Sequence, residues 1–410
     1  MLVIYAPIKL FCITKIFELF NVLLISLNNI DFKRERMVAA PIQREVSLTT
    51  TYGRVIRRSV NSLAACAMTI GAVSPASAQS SVTLYGILDT GLLYTSRTGS
   101  GSTGKNGAHQ FALTDGGTQG SRFGFAGTED LGGRLKAEFV LESGISTVNG
   151  GLNNSNGSFF GRMSYIGLSG DFGEVKAGTQ YSPFVLAVIM TDPRTGSYFG
   201  SGAAIYIGRL FSTGLFNPNA ITYTSPTLAG LQASAMIALG GQAGDFQAGR
   251  QYAARLTYTH GGMRIESALY SGNQGPSPTP LPTTVAFTGR MLGAAYTWGV
   301  VTLKAAYINY KVAGSFNERV YTAGGAYQIT PALSADAGVW VVRDGNDSTN
   351  HGLLAALGLN YALSTRTYVY GDLAMVNNHG LMDVGLSANG ALYGSTGTTV
   401  GAIVGIRHGF

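Results

Sequence analysis

The sequence predicts an all-β fold: a sixteen-stranded antiparallel transmembrane β-barrel with short periplasmic turns and long extracellular loops, the third loop folded into the lumen. Three observations predict it. Segments of roughly ten residues alternate in character from Val82 to Phe410, as barrel strands do. Tight turns and long polar connections separate these segments in alternation. The composition is rich in glycine, 57 of 410 residues, and only 12% charged, which argues against a helical bundle. Past the amino-terminal region no apolar run reaches the roughly 18 residues of a membrane helix, so any membrane crossing falls to strands.

Taken in order, residues 54–78 have the three parts of a secretory signal. Arg54, Arg57 and Arg58 form a basic region, Leu63 to Val73 a short apolar one, and Ala76-Ser77-Ala78 a small-residue cleavage site. Residues 1–53 precede a signal that normally begins a chain. Their apolar stretch from Leu10 to Ile30 is interrupted by Lys15, Glu18 and Asn21, and they read as a gene-model extension with no assigned function. The barrel domain is 79–410. Residues 1–78 hold nine of the 28 Lys and Arg and four of the 21 Asp and Glu, so the net charge falls from +7 to +2 without them. That balance does not imply nucleic acid. Both cysteines, Cys12 and Cys66, also lie in the leader, and a secreted chain lacking cysteine does not rest on disulfides.

The clearest strand is "RLKAEFVLE". Leu135, Ala137, Phe139 and Leu141 fall on one face and Arg134, Lys136, Glu138 and Glu142 on the other, with Val140 the exception. Composition within one strand does not separate a barrel from a soluble sandwich; the connections do. Tight turns recur at 130–133, 169–171, 228–230, 260–262, 298–299, 330–332 and 363–364. Between them lie longer tracts at 97–119, 149–156, 182–218, 240–249, 271–284, 313–318, 344–350 and 377–395. The even strand count places both ends on the short-turn side, and a sheet in lipid must close. The terminal "TTVGAIVGIRHGF" alternates to the last residue, so Phe410 ends the strand that closes against the first strand near Val82. Tyr85, Tyr94, Tyr165, Tyr181, Tyr223, Tyr252, Tyr258, Trp298, Tyr307 and Tyr361 sit near strand ends, where aromatic girdles meet the membrane interface.

If the apolar face meets lipid, the other encloses a lumen. Parity assigns to it Arg122, Arg134, Lys136, Lys176, Arg255, Arg264, Lys304, Arg366 and Arg407, with Glu138, Glu142, Glu174, Glu266, Asp336 and Asp372. Sixteen strands leave an aqueous channel that something must narrow. The candidate is the longest connection, Ser182 to Pro218, whose Phe184, Val185, Leu186, Val188, Ile189, Ile205, Tyr206 and Ile207 argue against disorder. Folded inward, it would set Asp192 across from lumenal arginines.

The stretches "SSVTLYGILDTGLLY", "SRFGFAGTEDLGGRLKAEFVLESG", "GRMSYIGLSGDFGEVKAGTQYSP" and "GIRHGF" resemble the Gram-negative general porins of the beta-proteobacterial type, over Ser81 to Phe410. The resemblance implies a homotrimer in outer-membrane lipid and lipopolysaccharide, passively admitting small hydrophilic solutes and ions. It further implies a third loop opposite an arginine cluster, in which Arg122 matches one position and Arg162 a second basic one. The terminal aromatic, Phe410, matches the signal read by the barrel assembly machinery. The constriction is therefore expected among Arg122, Lys136, Glu138, Arg162, Lys176, Asp192 and Arg194. Thr179, in "GTQY", stands where the family usually has arginine, and Thr222 and Thr224 where it often has a basic residue. Weak anion preference is expected, since basic lumenal residues outnumber acidic ones nine to six.

Two other classes compete. A lipolytic barrel needs a nucleophile, a base and an orienting group, yet His109, His260, His351, His379 and His408 adjoin no nucleophile motif and show no metal-ligand spacing; no enzyme activity, metal or cofactor is expected. A substrate-specific channel would use an aromatic track, for which Tyr368, Tyr370 and Trp340 are candidates, and an adhesive barrel would have a plugged lumen.

Overall fold

The computed structural model describes residues 81–98, 107–210, 215–273, 286–312, 315 and 317–410. The leader and extension readings for 1–78 lie outside the described residues, as do parts of the first, third, fifth and sixth long connections. The wall begins with β1 (Ser81–Thr95), β2 (Gln110–Asp115), β3 (Arg122–Gly132), β4 (Leu135–Gly144), β5 (Met163–Gly170), β6 (Gly173–Gln180), β7 (Asn217–Thr224) and β8 (Leu231–Ala238). It continues through β9 (Gln251–His260), β10 (Met263–Gly272), β11 (Phe287–Trp298), β12 (Val301–Val312), β13 (Asn317–Gln328), β14 (Leu333–Asp344), β15 (His351–Ala362) and β16 (Thr367–His379). A short hairpin of β17 (Val384–Ser387) and β18 (Ala391–Tyr393) precedes the last wall strand, β19 (Gly397–Gly409).

Wall strands pair antiparallel with their neighbours, and β1 pairs both with β19 and with β2 and β3, so the sheet closes. β2 and β3 are two halves of one wall strand: Thr90 lies opposite Asp115 and Ile87 opposite Arg122, so Leu88 and Asp89 stand against residues 116–121. Counting them once, and leaving aside the hairpin that pairs with itself, the described wall has sixteen strands. The shortest turns show why glycine is needed. Gly261-Gly262 and Gly299-Val300 join their strands with φ of 56° and 58° at the first residue, a left-handed conformation that two-residue hairpin loops demand.

Side chains alternate as the two-residue period requires. In β15, Leu357 is 48% exposed while Leu354 is fully buried, and Leu84, Leu88, Leu92, Leu269, Leu292, Leu303, Leu373 and Val404 are likewise exposed around the wall. At about 25 cal/mol per Å², leaving such a band in water would overwhelm a net stability of about 5–15 kcal/mol. Hydrocarbon is the solvent that fits it. Tyr223, Tyr296, Trp298, Tyr327 and Tyr361 are exposed at the short-turn end of this band. The expected girdle loses three members: Tyr85 donates to Glu142, Tyr165 stacks under Lys176 and Tyr181 accepts from Arg162, all on the lumenal side. Strand-end position alone does not say which face a tyrosine takes.

The seam is displaced from the expected one. Phe410 exchanges both backbone hydrogen bonds with Gly86, each 3.1 Å, rather than meeting Val82. Residues 81–85 extend past the seam and pair with β3 alone, because barrel strands are staggered by shear.

Candidate functional site

The connection after β6 lies against the inner wall. Ser182 caps helix α1 (Pro183–Thr191) by accepting from the Val185 amide, and Pro183 begins it. The helix rests on β9 to β12, with Phe184 fully buried among Tyr270, Phe287 and Tyr310. Wall glycines make its seat: a Cβ on Gly289 would lie 2.6 Å from the Phe184 ring, and one on Gly293 would lie 2.8 Å from Thr191. A second helix, α2 (Gly202–Leu210), packs against the β17–β18 hairpin.

Ion pairs and hydrogen bonds to the wall hold the segment between the helices. Arg194, 6% exposed, forms ion pairs with Asp336 on β14 and with Asp372 on β16, the latter at 2.9 Å. Its guanidinium also donates to the Phe199 and Gly200 carbonyls. The Tyr198 and Phe199 amides then donate to the Thr118 and Gly117 carbonyls, docking the tip on residues 116–121. That inward bulge is organised by Asp89. Its carboxylate accepts from the amides of Gly117, Thr118 and Gln119, from the Thr118 hydroxyl and from the Tyr370 hydroxyl.

Asp192 does not face the arginine cluster that parity and loop length suggested. It is 3% exposed and accepts from the amides of Arg194, Gly196 and Gly202 and from the Trp340 indole. Burial pushes its carboxyl up, while those donors pull it down. The cation beside it is Lys304, which donates to the Asp192 carbonyl at 3.0 Å and to the Thr195 hydroxyl at 2.8 Å. A buried carboxylate must be satisfied, and its own loop supplies three of the four donors, the wall strand β14 the fourth.

The lumenal charges form separate groups. Glu142 receives Arg162 at 2.8 Å, Arg122 at 3.6 Å and the Tyr85 hydroxyl. Arg162 lies behind this group, its side chain 4% exposed against 21% for Arg122, held by Tyr181 and over Phe216. It therefore braces Glu142 instead of lining open space. Arg407 supplies the second partly exposed guanidinium: it and Arg122 both donate to the Gln119 side-chain carbonyl, at 3.2 and 2.9 Å, and Arg407 also donates to Tyr368. Farther round the wall, Glu266 holds Arg255 and Arg264 at 2.6 and 2.7 Å, whereas Lys176 bridges Glu138 and Glu174.

Three expected lumen or constriction residues lie away from these groups. Arg134 is in the β3–β4 turn with φ of 68°, where it pairs with Asp171 of the next turn, both exposed. Arg366 is exposed in the β15–β16 turn. Lys136 is exposed opposite Asp130 and Ser169 at the short-turn end, apart from the Arg122 group. Arg134 and Arg366 each lie one residue before a strand begins, where the turn resets parity, whereas Lys136 keeps the inward parity of Glu138 on β4. Thr222 lies opposite Lys176, Thr224 opposite Glu174 and Thr179 opposite Ser164. The aromatic track does not form, since Trp340 and Tyr370 are 1% and 4% exposed and spent on Asp192 and Asp89. Asp89 and Gln119 were missed. The pair of small-residue tracts around Gln119, "TDGGTQGS", was the available sign that a wall strand breaks there.

Comparison with known proteins agrees with this architecture. The family described as Gram-negative porin matches residues 62–381. Outer membrane porin protein 32 of Delftia acidovorans is 30% identical, over 83% of this chain and 97% of its own. A major outer membrane protein P.IB of Neisseria meningitidis serogroup B is 33% identical over 49% of this chain and 56% of its own. Among solved structures, an anion-selective porin from Comamonas acidovorans superposes with a TM-score of 0.70 and 27% identity, over 81% of this chain and all of its own.

Proposed function

From the membership of this chain in the Gram-negative porin family, we infer the kind of traffic its outer-membrane channel carries. The barrel is a passive diffusion pore for small hydrophilic solutes and ions, and it leans toward anions. One observation carries the lean: in the lumenal groups the partly exposed cations Arg122, Lys176, Arg255, Arg264, Lys304 and Arg407 outnumber the partly exposed carboxylates Glu138, Glu174 and Asp336. Glu142 and Glu266 each face two arginines, Asp89, Asp192 and Asp372 are at most 3% exposed, and Arg122 and Arg407 converge on Gln119. The Lys176 group carries the opposite excess, one lysine against two glutamates, so the preference is weak. The anion selectivity stated for the Comamonas protein points the same way. Selection then follows from bore and from fixed charges at the narrowing, and no bond chemistry is involved.

Assembly as a homotrimer, residence among lipopolysaccharide and use of Phe410 as the signal for barrel assembly accompany this reading. Reversal potentials across a planar bilayer in a salt gradient test it. A modest anion preference with size-limited, linear solute flux is expected; cation preference sinks the lean, and saturable flux favours a substrate-specific channel.

A further inference from the structure

The described strands put four Lys or Arg side chains on the outer, lipid-facing side of the wall, and all four lie together on β11 to β14. Arg290, Asn309, Arg319 and Arg343 are direct cross-strand neighbours in one row, with Lys311 one row nearer the long loops. All four cations are exposed, and among the described residues none forms an ion pair. Arg319 and Arg343 are directly opposed; like charges so placed repel. The carboxylates nearest in sequence do not relieve them. Glu318 and Asp344 have the opposite parity, Glu318 being 2% exposed and Asp344 accepting from Asn346 and Asn350. A cleft of about 350 Å³ opens over the row, lined by Arg290, Lys311, Arg319, Tyr307 and Tyr321 among others.

Depth identifies the occupant. Tyr307 and Tyr321, ring centroids 5.1 Å apart, lie one row below the arginines, with Leu292 beside Tyr307. Below them come apolar rows that include Leu303 and Val339. Tyrosines mark the interface, so the cations stand at headgroup level on the side of the long loops. A soluble anion would be indifferent to this depth, whereas a lipid phosphate is delivered to it.

We propose that this row binds the phosphate groups of a phosphorylated glycolipid in the outer leaflet. Arg290 and Arg319 flank β12, so their backbones are about 10 Å apart, and two phosphates of one headgroup can be engaged with charge-assisted hydrogen bonds. The proposal rests on the outer-membrane reading above.

The test uses the purified full-length barrel in detergent, titrated with bis-phosphorylated lipid A, dephosphorylated lipid A or inorganic phosphate, with bound lipid counted by native mass spectrometry. Wild type should prefer the phosphorylated lipid at least tenfold, and Arg290→Gln with Arg319→Gln and Arg343→Gln should abolish that preference. Single-channel conductance of the triple variant should match wild type, which shows that the barrel folds and keeps channel failure distinct from lipid-site failure. Equal binding of the two lipids overturns the proposal, as does an unchanged preference in the triple variant. Inorganic phosphate that displaces the lipid at equal concentration would make the row a free-anion site. Loss of the oligomer in the triple variant, with no lipid preference in wild type, would make it a subunit contact.

Discussion

Arg194 and Asp372 meet at 2.9 Å with side-chain exposures of 2% and 0%, and this pair, shared with Asp336, ties the third connection to the wall. Removing one member of a buried ion pair strands its partner's charge, at a cost of about 3–5 kcal/mol. Arg194→Ala should therefore lower resistance to denaturant and free the loop, giving a larger and noisier single-channel conductance. Arg194→Ala combined with Asp372→Asn should recover part of the stability. Unchanged conductance would mean that the loop holds its place by apolar packing alone.

Arg122 and Arg162 share Glu142 but should respond differently. Arg122→Glu removes a partly exposed lumenal cation and adds an anion, so reversal potentials should move toward cations. Stability should fall less than for Arg162→Ala, because Arg162 still pairs with Glu142 at 2.8 Å and the new carboxylate stands at the partly exposed position. Arg162→Ala leaves Glu142 less compensated in a buried setting, so it should cost about 3–5 kcal/mol and shift selectivity less. The reverse pattern would place Arg162 in the open lumen.

Gly289 gives a steric test of the seat under α1. A methyl there meets the Phe184 ring at 2.6 Å, and Gly289→Ala should cost about 1–3 kcal/mol through overpacking. Because no charge changes, conductance should rise with little change in ion preference. Pairing it with Phe184→Leu should restore part of the loss in urea unfolding.

Phe410→Ala keeps the two backbone hydrogen bonds to Gly86 and removes the ring that packs on it. Refolding in detergent should be nearly unaffected. Recovery from the outer membrane should fall severalfold, with exported, unassembled protein accumulating in the periplasm. An equal loss in both settings would mean that the ring stabilises the seam and carries no assembly information.

Much of the wall was legible because a strand's period is two and its side chains answer to the nearest solvent. Leu357 and Leu354, three residues apart, must face opposite ways, and no distant residue alters that. Turns were legible for a similar reason, since Gly261 and Gly299 occupy backbone conformations that few other residues tolerate. The reading failed at strand ends, where Arg134 and Arg366 left the strand's parity, and at tyrosines, whose amphipathic rings suit either face.

The amino-acid sequence by itself determined the barrel, its strand number, its lipid-facing side and the inward side of Glu142, Glu266 and Arg407, because each follows from local alternation and turn chemistry. Tertiary structure alone decided which charges meet. Asp192 turned to Trp340, Arg194 to Asp372, and Arg122 and Arg407 to Gln119 from opposite ends of the chain. Those meetings depend on the summed register of closed strands and on the path of a buried loop, and no periodicity encodes either.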